Sequence, residues 1–485
     1  MRRLAALLAL LALFGTASCR KEPQGAVKVI VIGGAPQLRD PALGGLSAPD
    51  EVLLANAAQG LVGFDASGNI VGGLAERWTV SDDGLSYIFR IASASWPDGR
   101  KITAEQVARL LKRAIAARSR DSLKDQFGAV EDIVAMTDRV IEISLAAPRP
   151  DLLSLLAQPQ MAILRGGQGT GPFKVTAAGD GTLKLTREMV SPDDETSSRE
   201  QLLLGGAPAT AAIGQFAGEN VDLVLGGTFA DLPLTGRAKL PRDSLRFDPA
   251  SGLFGLVPAQ SGGPLDKPEV RRLLSEAIDR DAFVAALGVP ALAPRATLLE
   301  PGLDGLPPPP PPGWSATAYA DRIASLQAQA KRLFGKAPIP AIWVRLPDGP
   351  GADLLFRLLK RDWGALGFTV ERTDSPSTAD FTLVDEVSPS TSPAWFVRRF
   401  RCEFVPVCDK NADQLMDGAR ETPVLAQRYA LLGQAAALID SAQLFLPIAA
   451  PVRWSLVSPR IQSFAGNRYA RHTLTDLETK PPTGE

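Results

Sequence analysis

Residues 74–107, LAERWTVSDDGLSYIFRIASASWPDGRKITAEQV, constrain the possible folds of this chain more than any other stretch. Residues 74–78 have a short helix-like pattern, and Ser81-Asp82-Asp83-Gly84 then breaks regular structure. Leu85, Tyr87, Phe89 and Ile91 alternate with Ser86, Ile88 and Arg90, the period of a strand with one buried face. Pro97-Asp98-Gly99 makes a second turn. Thr103 and Gln106 stand at capping-box spacing, the Thr hydroxyl reaching the third helical N–H while Gln106 reaches back. Val107, Leu110, Leu111, Ala114 and Ile115 then share one helical face. The unit is strand, Asp-Gly turn, capped helix, and nothing in it is catalytic.

These residues resemble the signature of the bacterial extracellular solute-binding proteins of family 5, the peptide, nickel and opine-type substrate-binding lipoproteins of ABC importers. Leu74, Ala75, Trp78, Asp83, Gly84, Phe89, Trp96, Asp98, Gly99, Thr103, Ala104 and Val107 carry the match. Gly169-Thr170-Gly171-Pro172-Phe173 is similar to the family's GTGPY/F turn. Val270-Arg271 with Ala277-Ile278-Asp279-Arg280 is similar to its VRxAxxxAIDR helix, read here as a single helix within 265–284. The resemblance spans nearly the whole mature chain and is weakest between 375 and 420. It implies an α/β, two-lobed periplasmic-binding-protein-like fold (type II, cluster C-like), with an extra inserted domain and a hinge between lobes. Lobe I would be discontinuous, from 20–50, 165–257 and 449–485, with the insertion at 51–164 and lobe II at 258–448.

Other segments read directly from pattern. VKVIVI at 27–32 is a β-branched run suited to a buried strand. Residues 51–64 read as a helix ending at Gly63, 136–146 as a strand and 424–439 as a long Ala/Leu helix. The prolines at 307–312 impose an extended polyproline segment. Arg271 and Arg280 read as structural, an exposed ion pair at either being worth at most about 1 kcal/mol.

The N-terminus reads as a targeting segment. Arg2-Arg3 precede an apolar run at 4–14, too short to span a bilayer, and small residues lead to Cys19. Residues 1–19 resemble a signal peptide with a lipobox, in which Cys19 would be lipidated. Plain secretory cleavage is the alternative. With Cys19 set aside, Cys402 and Cys408 remain, either as a disulfide in an oxidising compartment or as two buried thiols. No later run approaches the roughly 18 apolar residues of a spanning helix, so any membrane contact would come through the N-terminal anchor. A formal net charge of −1 lacks the basic footprint of a nucleic-acid binder.

Catalytic constellations are sparse. The single histidine, His472, reads as a surface or packing residue, and HExxH, GxSxG and CxxC motifs are absent. The acids Asp193-Asp194-Glu195 lack a calcium loop's glycine. No metal or cofactor is expected, and binding is the indicated class rather than enzymatic turnover. In the family an acidic residue in a W-x-A-D-Y-like motif receives a peptide's α-amine. The resemblance puts Phe400 at its Trp, Glu403 at its acid and Phe404 at its aromatic. Apart from the resemblance, Glu403 reads as a surface acid beside Arg398, Arg399 and Arg401, an arginine group that is itself either a ligand-anion contact or a solvated turn. Trp395 either stacks on ligand or fills core. By the resemblance alone, Gly45, Leu46 and Ser47 form the other candidate wall.

The expectation is a monomeric extracytoplasmic binding protein, periplasmic or surface-anchored. It would capture a small solute, a dipeptide or oligopeptide, by hinge closure and deliver it to ABC permease subunits. The alternative is a non-transporting scaffold or ligand-sensing lipoprotein on the same fold. An extracytoplasmic hydrolase would need catalytic carboxylates that no motif marks out.

Overall fold

The computed structural model describes residues 25–190, 197–475 and 477. Cys19, its preceding apolar run and the 193–195 acids lie outside these residues.

Among the described residues three larger sheets organise the chain, beside a two-stranded one of Val62–Phe64 and Ile70–Gly72. The first has seven strands in the spatial order Leu245–Phe247, Arg453–Val457, Leu223–Thr228, Val27–Ile32, Ser197–Ala207, Thr182–Val190 and Lys174–Gly179. Val27–Ile32 runs parallel to both neighbours at its centre. Val27, Val29 and Val31 are buried there against Leu53 and Phe173. The second sheet has five strands, Thr369–Arg372, Ala341–Arg345, Phe381–Val387, Gly252–Pro258 and Leu446–Ala449. The third is antiparallel, ordered Ala75–Val80, Ser86–Ile91, Val140–Leu145 and Val130–Thr137. Helix Ala104–Ile115 covers its buried side through Val107, Ala108 and Leu111. Two lobes with an inserted subdomain result, as the resemblance implies.

The chain passes between the lobes twice, at 248–251 and 450–452. The first crossing comes earlier than the expected 257–258 junction, because Gly252–Pro258 is wholly buried and pairs with Phe381–Val387 in the second sheet. Polar side-chain contacts brace both crossings. Arg453 reaches Asp385 at 2.7 Å, and His472 Nε2 sits 3.1 Å from Asp248, so the lone histidine is a buried packing group. Phe229 of the first lobe meets Phe254 of the second edge-on at 4.7 Å, inside one continuous apolar cluster.

Local readings differ from the structure where tertiary pairing wins. Residues 75–78 are strand, not helix: Ala75–Val80 pairs with Ser86–Ile91, setting Trp78 opposite Phe89, and a bulge at 75–77 breaks the alternation that would have revealed it. Tyr87, Phe89 and Ile91 are buried as expected. The stretch 136–146 divides into two strands of a hairpin that turns at Asp138 and Arg139. Thr103 Oγ1 caps Gln106 N–H at 3.3 Å, but Gln106 does not reach back; its side-chain oxygen accepts from the buried Trp96 indole N–H at 2.9 Å. The helix expected at 51–64 is Ala48–Ala57, set by Ser47 and Asp50 in a reciprocal capping box, and Val62–Phe64 is already strand. Between them Gly60 is required, since a Cβ would stand 2.8 Å from Leu156 O. Likewise, Gly169 and Gly171 let their turn press on Ala57 and Ala58, where a Cβ would meet backbone at about 2.4 Å. The block 265–284 is two helices, Pro268–Ala277 and Arg280–Leu287, because Asp279 stops one and caps Ala282 N–H of the next at 3.1 Å.

Arg271 and Arg280 are structural but buried, and they satisfy backbone carbonyls rather than exposed acids. Arg280 donates to Arg295 O at 2.9 Å, Pro447 O at 2.7 Å and Ser275 O at 2.7 Å. Burial, and then the nearby Arg322, pushes its guanidinium down to about 9.

Candidate ligand cavity between the lobes

The inserted subdomain and the second lobe face each other across a cavity of about 200 Å³. From the insertion come Asp125, Gln126, Gly128 and Ala129, in the turn that leads into the third sheet, and Ala147, Arg149, Pro150 and Asp151, after the hairpin's second strand. From the second lobe come Ser392, Ala394 and Val397 on or beside helix Pro393–Arg398, Arg401 and Glu403 beyond it, and Arg428 and Tyr429 on helix Leu425–Ser441.

Arg149 and Asp151 stand at the insertion's edge, where the chain turns into helix Leu152–Leu156. Arg149 Nε and Nη2 donate to the two carboxylate oxygens of Asp151 at 3.0 and 3.1 Å, a bidentate pair. Burial opposes the charge on Arg149, yet Asp151 outweighs it and leaves the guanidinium above its ordinary range. Asp151 also accepts from Ser390 Oγ across the lobe boundary at 3.1 Å. Two further bonds cross there: Gln158 Nε2 donates to Pro389 O at 2.9 Å, and Arg428 Nη1 donates to Pro148 O. Arg398 meets Asp125 at 3.2 Å, among the described residues the one ion pair of this boundary beside the cavity.

Arg428 is 8% exposed and spends its remaining donors on carbonyls, Nε on Ala419 O at 3.1 Å and Nη2 on Thr422 O at 2.8 Å. No carboxylate pairs with it among the described residues. Burial, then repulsion from Arg149, lowers its affinity for its proton. Tyr429 moves the other way, raised by burial and then by Asp304 and Asp151. Five arginines (149, 398, 401, 420 and 428) against three carboxylates (Asp125, Asp151 and Glu403) give the walls an excess of positive charge.

Of the ligand contacts expected from sequence, Glu403 alone lines this cavity among the described residues. Its carboxylate lies 3.3 Å from Arg401 and stays 59% exposed. Phe400 is 1% exposed and packs on Phe445 at 5.6 Å, so it is core and presents no face to a ligand. Trp395 is half-buried in the same cluster, edge-on to Phe396 at 5.0 Å. Arg399 pairs with Glu386 at 2.6 Å, and Phe404 lies exposed beneath the Arg398 guanidinium at 5.3 Å. Gly45, Leu46 and Ser47 are apart from the cavity: Ser47 caps its helix, and Leu46 packs near Leu54 and Leu164. Cys402 and Cys408 are joined as a disulfide, Cα to Cα 5.1 Å, closing the loop that carries Glu403. Sequence reading missed Arg149, Asp151, Arg428 and Tyr429. The only available signal was Arg149-Pro150-Asp151, a charged turn between strand and helix.

A family model described as bacterial extracellular solute-binding proteins, family 5 Middle, matches residues 69–388. The chain belongs to this family. The family 5 member described here is 24% identical to the probable di/tripeptide-binding protein 5 of Pseudomonas aeruginosa, over 87% of this chain and 89% of that one. It is 23% identical to that organism's di/tripeptide-binding protein 1, over 84% and 87%. Among solved structures, its fold matches Haemophilus influenzae OppA in complex with RPPGFSPFR at a TM-score of 0.77, with 14% identity over 94% of this chain and 100% of that one. The Escherichia coli murein tripeptide binding protein MppA matches at 0.76, with 16% identity over 92% and 97%. The family is one of solute binding rather than catalysis. Among the described residues no helix is long and apolar enough to cross a membrane, and no three His, Cys, Asp or Glu side chains group as metal ligands.

Proposed function

We propose that this family 5 protein is an extracytoplasmic substrate-binding protein that captures a short peptide between its lobes and delivers it to an ABC permease. The observation that carries the reading is the cavity itself. The inserted subdomain and the second lobe wall it, polar bonds crossing between them close it, and it offers both carboxylates and guanidinium groups, the pair of charges a zwitterionic peptide needs. Similarity to two di/tripeptide-binding proteins along most of the chain supports the ligand class. A volume of about 200 Å³ is below the roughly 300–1,000 Å³ of drug-sized sites, which favours two or three residues over a long peptide. Glu403 is the proposed partner of the α-amine, since it is exposed at the cavity wall. Lipidation at Cys19 and a monomeric state complete the proposal.

The test is thermal denaturation of protein starting at Arg20, against di-, tri- and hexapeptides. A ligand at about 100 times its Kd should add about 2.7 kcal/mol and raise Tm by a few degrees. Gain with short peptides, reduced in Glu403→Gln, is the expected result. Gain with none of them would sink the peptide assignment and favour a non-transporting member of the family.

A further inference from the structure

A second cavity, of about 470 Å³, lies wholly within the second lobe, between the proline run 307–312 and helix Leu425–Ser441. Leu299, Leu306, Pro308, Trp314, Ala436 and Ala437 give it apolar walls. Proline fixes its own φ and offers no N–H, so the outer wall is stiff and presents no backbone donor. The indole of Trp314 is already faced by Arg280 at 5.0 Å and Arg322 at 5.2 Å, which leaves its ring little attraction for another cation.

Three charged side chains line this space: Arg272, Glu276 and Asp440. Arg272 and Glu276 are one turn apart on helix Pro268–Ala277, and Glu276 also feels Arg322 and Arg280. Among the described residues Asp440 has no cation beside it. Its Oδ1 accepts from Leu298 N–H at 2.9 Å, and its other oxygen takes no hydrogen bond and no ion pair among the described residues. Burial raises its carboxyl to about 7, opposed only by the Leu298 bond. A carboxylate half-sunk in an apolar chamber and short of one charged donor is a receptor for an ammonium group. A metal ion is a poor fit, because the described residues gather no three ligands here.

We propose that this chamber binds a small organic ammonium with an apolar body, the N–H group donating to Asp440 and the hydrocarbon filling the space between prolines and helix. The site is separate from the interlobe cavity and stands whether or not that cavity takes peptides.

The experiment is titration calorimetry of the full mature chain with 2-phenylethylamine and its neutral counterpart 2-phenylethanol. The amine should bind at least tenfold tighter than the alcohol. Asp440→Asn keeps the acceptor for Leu298 N–H and should cost the amine tenfold or more while leaving the alcohol unchanged. Ala437→Trp fills the chamber and should abolish both. With Arg272 and Glu276 the other charged groups facing Asp440, amine affinity should fall about tenfold from pH 8 to pH 6 as the carboxyl takes its proton. No amine binding at millimolar concentration, equal affinity for amine and alcohol, or full binding by either variant would overturn the proposal.

Discussion

Asp440 and Asp121 are carboxyl groups that the fold holds against their own charge. Burial raises Asp440 to about 7 and Asp121 to about 6, the latter helped by Asp40, and Asp121 Oδ2 is buried with no hydrogen-bond partner among the described residues. Each folded pKa lies above the ordinary 3.8, so the folded state holds its proton more tightly than the unfolded chain. Stability from these groups is complete below about pH 4 and is lost as pH rises through 6 to 7. Asp440→Asn should therefore be near neutral at pH 4 and stabilising at pH 8, by at most about 4 kcal/mol. Urea midpoints across that range check it; an offset that does not change with pH would refute it. Arg280 is the opposite case, a buried cation that organises four carbonyls. Arg280→Met should cost about 2–4 kcal/mol at any pH below 9, since it strands the acceptors around Ser275, Arg295 and Pro447. Such roles were hidden in the sequence. The resemblance located Arg280, but its partners come from residues 15 and 167 positions away.

At the scale of elements, the sequence was most legible where one local rule sufficed. The alternation at 85–91, the Thr103 cap, the β-branched run at 27–32 and the helix at 425–441 all formed close to their expected places. It was least legible where a distant strand or a backbone contact decides. Residues 75–78 are strand only because Ser86–Ile91 lies alongside, and the acid-motif placement put Phe400 at a ligand although its neighbours Phe396 and Phe445 bury it. Glu403 fell at the cavity because the disulfide loop turns there, whereas Arg149 and Arg428 are 279 positions apart and no motif joins them. Gly351 shows the same long-range control. Its N–H donates to Ala230 O at 2.8 Å, and a Cβ would lie 1.9 Å from Phe229 O, so the lobes meet here backbone to backbone. Gly351→Ala should destabilise by about 1–3 kcal/mol through overpacking and reduce peptide affinity as the lobes shift. Unchanged melting and unchanged affinity together would show that the contact yields freely.

For the whole molecule, the balance between open and closed lobes depends on which contacts must break. On one side Phe229 and Phe254 lie in a core shared by both lobes, and separating them would expose large apolar area. On the other, closure is polar: Arg398 with Asp125, Ser390 with Asp151, Gln158 with Pro389 O, and Arg428 with Pro148 O. A partly exposed ion pair is worth about 0–1 kcal/mol and each hydrogen bond about 0.5–1.5 kcal/mol, so the polar side opens for a few kcal/mol while the shared core acts as pivot. Opening then means rotation about 248–251 and 450–452, with Arg453–Asp385 moving least. A ligand held in the proposed cavity would close it by adding bonds that exist only in the closed state, and its apparent affinity would scale with the closed fraction. The double variant Gln158→Ala, Ser390→Ala removes two crossing bonds without removing a charge or the proposed amine acceptor. It should enlarge the ligand-free radius of gyration in X-ray scattering, weaken a bound peptide by three- to tenfold, and return to the wild-type radius at saturating peptide. An unchanged radius with full affinity would mean that these bonds do not hold the lobes together, and that the shared core alone sets their angle.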